Sequence, residues 1–271
     1  MFDSGLGGLS IVRALIDLVP GRDLVYFGDT GRFPYGPKPA DEVAKFAMQI
    51  TEVLLERDVA MVVVACNTAA AVALDDLQDR VDVPVVGVIE PGIRAAKRAT
   101  VTGRVGVIGT VGTVRSGAYQ RAVARIAPDL HVLCAACPGF VEFVEAGDTD
   151  SDQVHVLAER LLAPLRAAAV DTLVLGCTHY PMLARTIGDV MGRDVVLVSS
   201  AEETAFEVDR LLAECDGAHD DTASNNPTIT NQTATTAGRH EFVTSGDVAM
   251  FRRLGARFCG PEVKRVEAFH W

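Results

Sequence analysis

The sequence is short of cysteine, of positive charge and of long apolar runs, and each shortage narrows what the protein is. Six cysteines in 271 residues are too few for a disulfide scaffold, so they read as free thiols of a reducing compartment. No apolar run approaches the ~18 residues of a membrane span. Lys and Arg number 25 against 36 Asp and Glu, a net charge of −11 that argues against nucleic acid and anionic membranes as partners. The opening Met1-Phe2-Asp3-Ser4 has no basic segment followed by an apolar core, so no secretory signal and a cytoplasmic location are expected. Gly5, Gly7 and Gly8 miss the Gly-x-Gly-x-x-Gly spacing, because position 10 is Ser10. That argues against a dinucleotide fingerprint and for a turn that admits a small ligand close to the backbone. Cys134 and Cys137 have Cys-x-x-Cys spacing without the second pair a zinc site needs. They read as structural, as do Cys215 and Cys259, and no metal is expected.

What is present is a device used twice. Met61 to Ala65 and Thr172 to Gly176 are apolar runs rich in branched residues. Each leads into a cysteine, Cys66 or Cys177, and then into residues that can cap a helix: Asn67-Thr68, and Thr178-His179. Such a run reads as a buried parallel strand feeding a helix. The cysteines then sit at strand carboxyl ends, where open α/β sheets bind ligands. Other strands are expected near 24–27, 83–89, 104–110, 130–135, 195–198, 241–244 and 266–269. Helices are expected over 11–19, 41–56, 68–80, 116–126, 140–146, 151–168, from 181, 201–214 and 247–258. The polar tract Asp216 to Gly238 reads as a loose loop.

Strands starting near 23, 59 and 83 recur near 130, 170 and 194, at offsets of about 107–111 positions. Strands alternating with helices imply parallel sheets with right-handed crossovers. The fold class expected is therefore α/β: two similar parallel-sheet domains with pseudo-twofold symmetry and the active site in the cleft between them. The same offset places the counterpart of the strand at 104–109 around residues −3 to 2. A first strand largely missing, and an Asp3 poorly held near a free terminus, are expected from this.

Two thiols facing one carbon from opposite sides can invert it. One thiolate removes a proton; the other thiol returns one from behind. A helix N-terminus stabilises a thiolate and offers N–H groups to a substrate carboxylate. Ser4, Asn67, Thr68 and Thr178 are suitable donors, while Asp3 and His179 could tune the thiols or relay protons. The blander readings are a cysteine as a small buried hydrophobe, Asp29 as a turn anchor and Glu145 as a solvated charge.

The residues Phe2-Asp3-Ser4-Gly5, Gly28-Asp29-Thr30, Pro34-Tyr35-Gly36-Pro37, Ala65-Cys66-Asn67-Thr68-Ala69, Gly176-Cys177-Thr178-His179-Tyr180-Pro181 and Thr244-Ser245-Gly246-Asp247 span nearly the whole chain. Together they resemble the glutamate racemases of the cofactor-independent aspartate/glutamate racemase superfamily. The resemblance implies interconversion of L- and D-glutamate, supplying D-glutamate for peptidoglycan, with Cys66 and Cys177 as the acid/base pair. It implies auxiliary catalytic roles for Asp3, Glu145 and His179. Substrate would be bound by Asp3, Ser4, Tyr35, Gly36, Asn67, Thr68, Thr178 and His179. No metal or pyridoxal phosphate is expected, and a homodimer is. The last segment, from about Phe206, should return to the first domain, giving domains of 1–92 plus 206–271 and 93–205. The resembled pattern has a strand before Phe-Asp-Ser-Gly and a shorter polar tract. A racemase of aspartate or another amino acid, or a binding protein without turnover, are the other readings.

Overall fold

A computed structural model describes residues 1–220 and 238–271. Its strands run β1 (Phe2–Asp3), β2 (Leu24–Gly28), β3 (Val62–Val64), β4 (Val85–Gly87), β5 (Arg104–Gly109), β6 (His131–Ala136), β7 (Thr172–Gly176), β8 (Val196–Val198), β9 (His240–Thr244) and β10 (Val266–Ala268). They form two sheets, β10-β9-β2-β1-β3-β4 and β6-β5-β7-β8. Every pairing is parallel. Helices follow most strands and cover both faces, which is why β3 and β7 are buried throughout and read as unbroken apolar runs. The α/β class is as expected. Residues 221–237 of the polar tract lie outside the described residues.

The repeat is visible in the pairing. The order β2-β1-β3-β4 in one sheet matches β6-β5-β7-β8 in the other. Phe2 pairs with Phe27 and Val64; Ile108, its counterpart, pairs with Ala135 and Leu175. One residue beyond Val64 and Leu175 come Ala65 and Gly176, and then the two cysteines. The first sheet gains β9 and β10 from the end of the chain, with Phe242 opposite Tyr26 and Val266 opposite Phe242.

Two expectations are corrected. The first concerns how the start of the chain is held: the first strand is short, as expected, but Asp3 is not loose. Phe2–Asp3 is a strand, and a central one, between β2 and β3. The Met1 carbonyl accepts from Phe27 N at 2.9 Å, and the Phe2 carbonyl accepts from Ala65 N at 2.9 Å. Asp3 is fully buried rather than loosely held. Where β5 has six residues β1 has two, and these two occupy the carboxyl end that reaches the site. The second concerns helices. A helix over Ile89–Ala99, between the strands expected at 83–89 and 104–110, was not expected; its Pro91 lies in the first turn, where a missing N–H has no intrahelical acceptor. The helix expected over 116–126 is Ala118–Ile126, and the residues before it form a further helix, Val111–Ser116, set off by Gly117, left-handed at φ 69°. The expected domain boundaries at 92/93 and 205/206 fall inside the helices Ile89–Ala99 and Ala201–Asp220.

Phe2 is wholly buried in the first core. Phe2→Ala should cost about 3–5 kcal/mol in urea unfolding, the usual range for a buried phenylalanine. A loss below about 1 kcal/mol would mean that β1 does not pack as described.

Candidate active site

The carboxyl ends of the central strands converge. From the first sheet come Asp3 at the end of β1, Ser4 just after it, and Cys66 after β3. From the second come Thr110 after β5, and Cys177 after β7. Cys66 is the N-cap of the helix Asn67–Arg80, its Sγ accepting from Ala69 N at 3.5 Å. Its thiol also donates to Ser4 Oγ at 3.6 Å. Both cysteines are buried, and both line one cavity of about 90 Å³. At roughly 10–15 Å³ of such space per water, that is room for one molecule of amino-acid size. A cleft of about 770 Å³ lies elsewhere, against Ala70, Leu74 and Arg94, but no thiol lines it. Chemistry, not volume, picks the site.

The two sulfurs lie in different electrical surroundings. Burial pushes the Cys66 thiol up to about 12, and the charge of Asp3 adds to the effect; hydrogen bonds from Ala69 and with Ser4 oppose it. Cys177 Sγ is 3.9 Å from Nδ1 of His179, whose Nε2 meets Glu145 Oε1 at 2.8 Å. Burial works against charge on His179, but its hydrogen bonds to Cys177 and Glu145 and the nearby negative charge outweigh burial and raise it to about 10. A positive imidazole thus sits beside one sulfur, and a buried carboxyl near the other. Phe33 and Phe258 flank the His179 ring, each with its centroid 5.9 Å away.

Asp3 joins the two sheets. Its Oδ1 accepts from Gly5 N at 2.8 Å and its Oδ2 from Thr178 Oγ1 at 3.1 Å. Burial raises its pKa, against the pull of His179 and these hydrogen bonds. The neighbouring glycines exist for this approach. A Cβ on Gly7 would lie 2.3 Å from Thr178 Oγ1 and 2.6 Å from His179 Nδ1; one on Gly8 would lie 2.7 Å from Asp3 Cβ. The glycine-rich turn was expected to admit a ligand. It admits side chains of the opposing strand end instead.

Of the expected site residues, Ser4, Tyr35, Gly36, Cys66, Asn67, Thr68, Cys177, Thr178 and His179 line the cavity. Asp3 and Glu145 do not; they reach it through Thr178 and His179. The solvated-charge reading of Glu145 is therefore displaced, since its carboxylate is bound to a buried ring. Sequence reasoning missed Phe33, Thr110 and Cys137 in the lining. Thr110 carried a usable signal, since it ends a strand just as the cysteines do. Its hydroxyl lies 2.9 Å from Thr68 Oγ1 and 3.0 Å from Thr113 Oγ1.

Paired thiols stand at matching strand ends of two parallel sheets and open on one small cavity, an arrangement suited to proton transfer at a single carbon. The comparisons with known proteins agree: residues 7–206 match the model of the Asp/Glu/Hydantoin racemase family, and the chain belongs to that family. A glutamate racemase of Parafrankia sp. is 49% identical over 266 residues, covering 98% of this chain and 92% of that one. The crystal structure of a glutamate racemase isoform from Bacillus anthracis superposes with a TM-score of 0.86 at 38% identity, over 100% of this chain and 95% of that one. That of the Francisella tularensis glutamate racemase in complex with D-glutamate gives 0.86 at 31% identity, over 99% and 95%.

His179 carries a pH prediction. Its pKa is raised above the ordinary 6.5, so it stabilises the fold fully below about 6.5, and that contribution disappears as the pH rises through about 10. Histidine NMR should show one imidazole still protonated at pH 8–9, and lost in His179→Asn. Titration of His179 near its ordinary value would contradict the geometry.

Proposed function

We propose that this protein interconverts L- and D-glutamate by cofactor-independent, two-base proton transfer, and so supplies D-glutamate for peptidoglycan in the cytoplasm. The observation that carries the reading is that Cys66 and Cys177 occupy equivalent strand ends and share one cavity. The names of the relatives support glutamate as the substrate. Among the described residues no helix is long and apolar enough to cross a membrane, which is compatible with a cytoplasmic location.

In the proposed reaction one cysteine, as thiolate, takes the α-hydrogen as a proton. The electron pair left on carbon delocalises into the α-carboxylate. The opposite cysteine, as thiol, gives its proton to the other face, and the two sulfurs end with their protonation states exchanged. The reverse direction starts from the exchanged state. Burial and the charge of Asp3 raise the Cys66 thiol, which supports a resting enzyme in which Cys66 keeps its proton. Asp3 acts by holding Thr178, and Glu145 by holding His179. Ser4, Asn67, Thr68, Thr178 and the main chain of Tyr35 and Gly36 bind substrate; their donors meet the charge that develops on the carboxylate. The same proposal divides the chain into domains of 1–92 plus 206–271 and 93–205, with the two boundary helices shared between them. It includes a homodimer, which sedimentation equilibrium would report as twice the chain mass.

In deuterated water the protein should exchange the α-hydrogen of glutamate, and racemise it, with no added cofactor. Cys66→Ser and Cys177→Ser should each lower the racemisation rate by roughly 10²–10⁴-fold, the usual worth of a positioned acid or base. Faster turnover of aspartate than of glutamate would move the substrate assignment. Full activity in either variant would remove that cysteine from the mechanism.

A further inference from the structure

Two sequence motifs have no part in the reaction above: Gly28-Asp29-Thr30, and Thr244-Ser245-Gly246. They meet at Asp29, whose carboxylate is fully buried. Its Oδ2 accepts from Arg32 Nε at 2.6 Å and from the Tyr35 hydroxyl. Its Oδ1 accepts from Ser245 Oγ at 2.6 Å and from Trp271 Nε1 at 3.0 Å. The Arg32 guanidinium is held between two rings, 4.0 Å from the centroid of Phe46 and 3.4 Å from that of Trp271. Thr30 and Thr244 share a hydroxyl–hydroxyl bond of 2.6 Å, and Gly31 N donates to Ser245 Oγ at 3.0 Å.

These contacts fix the base of the loop Thr30–Pro37. Its far end is fixed by the helix Val111–Ser116 that follows β5, where Gly36 O accepts from Gly112 N at 2.9 Å. Between the two anchors, Phe33, Tyr35 and Gly36 face the cavity. The Tyr35 side chain is engaged with the base of the loop. Its hydroxyl is given to Asp29, and burial together with the charge of Asp29 drives its pKa far up, so it stays a donor. What the loop offers is main chain. The N–H groups of Tyr35 and Gly36 have no hydrogen-bond partner among the described residues. Adjacent free N–H groups suit a carboxylate.

We propose that Asp29 and Trp271 are positioning residues, which together hold the loop so that the Tyr35 and Gly36 N–H groups meet a carboxylate of the substrate. The Trp271 ring covers Arg32 while its N–H closes the shell around Asp29. This rests on the glutamate reading, and its test separates the two.

Trp271→Ala removes ring and donor; Trp271→Phe keeps a ring over Arg32. The KM for glutamate should rise about tenfold in the alanine variant, the loss of roughly one charge-assisted hydrogen bond, and by less in the phenylalanine variant. The kcat and its pH profile should stay as in the wild type. Glutarate, a dicarboxylate with no amino group, should inhibit competitively, and its inhibition constant should rise in parallel with KM. A merely structural role would lower the melting temperature and the active fraction without this split. Unchanged KM and inhibition constant in Trp271→Ala, or a loss confined to kcat, would overturn the proposal. If the alanine variant does not fold, Trp271→Phe carries the test, and no rise in either constant overturns it. A wild type that binds glutarate but does not racemise glutamate would refute the function and leave glutarate binding as the readout for the loop.

Discussion

The hydrogen bond from Thr178 to Asp3 is where the two halves of the site become one. It joins the residue after one cysteine to the strand beside the other. Everything near it is shaped to allow the approach. Gly7 leaves room for Thr178 and His179, and Gly8 leaves room for Asp3. A side chain on Gly7 would force the strand ends apart by more than a bond of this length can follow. The two strand ends that carry the cysteines are therefore joined by a buried polar contact, of a kind that is costly to lose.

The same arrangement explains how a symmetric scaffold yields an unsymmetric pair of thiols. The backbone repeats, with Cys66 and Cys177 at matching strand ends, but their neighbours do not. His179 follows the second cysteine and is held by Glu145 from the helix Phe140–Ala146. No histidine follows the first, which has Ser4 and, close by, Asp3. Symmetry places the two sulfurs at equivalent strand ends, and the departure from symmetry gives them different neighbours.

Much of the fold was readable because its signals are local. Val62–Val64 and Leu173–Leu175 are unbroken apolar runs because both faces of a parallel strand are covered, and the residues after each cysteine announce a cap. The internal offset then orders the second sheet. What was not readable depends on contacts far apart in sequence. Asp3 read as a loose end because its burial comes from pairing with strands that lie beyond residues 24 and 62. Glu145 read as a solvated charge because the ring that holds it is 34 positions away. Asp29 read as a turn anchor, and it is one, but two of its donors, Ser245 and Trp271, lie 216 and 242 positions downstream. The helix Ile89–Ala99 carries Pro91 in its first turn, where proline is tolerated.

Trp271 is the one tryptophan in the chain. Its indole rests on a guanidinium, is about half exposed at 47%, and is bonded to the residue that organises the loop. Fluorescence excited at the red edge of protein absorption therefore comes from a single place, bonded to the residue at the base of the loop that lines the cavity. The molecule thus carries one native optical probe beside that loop, present in unlabelled protein.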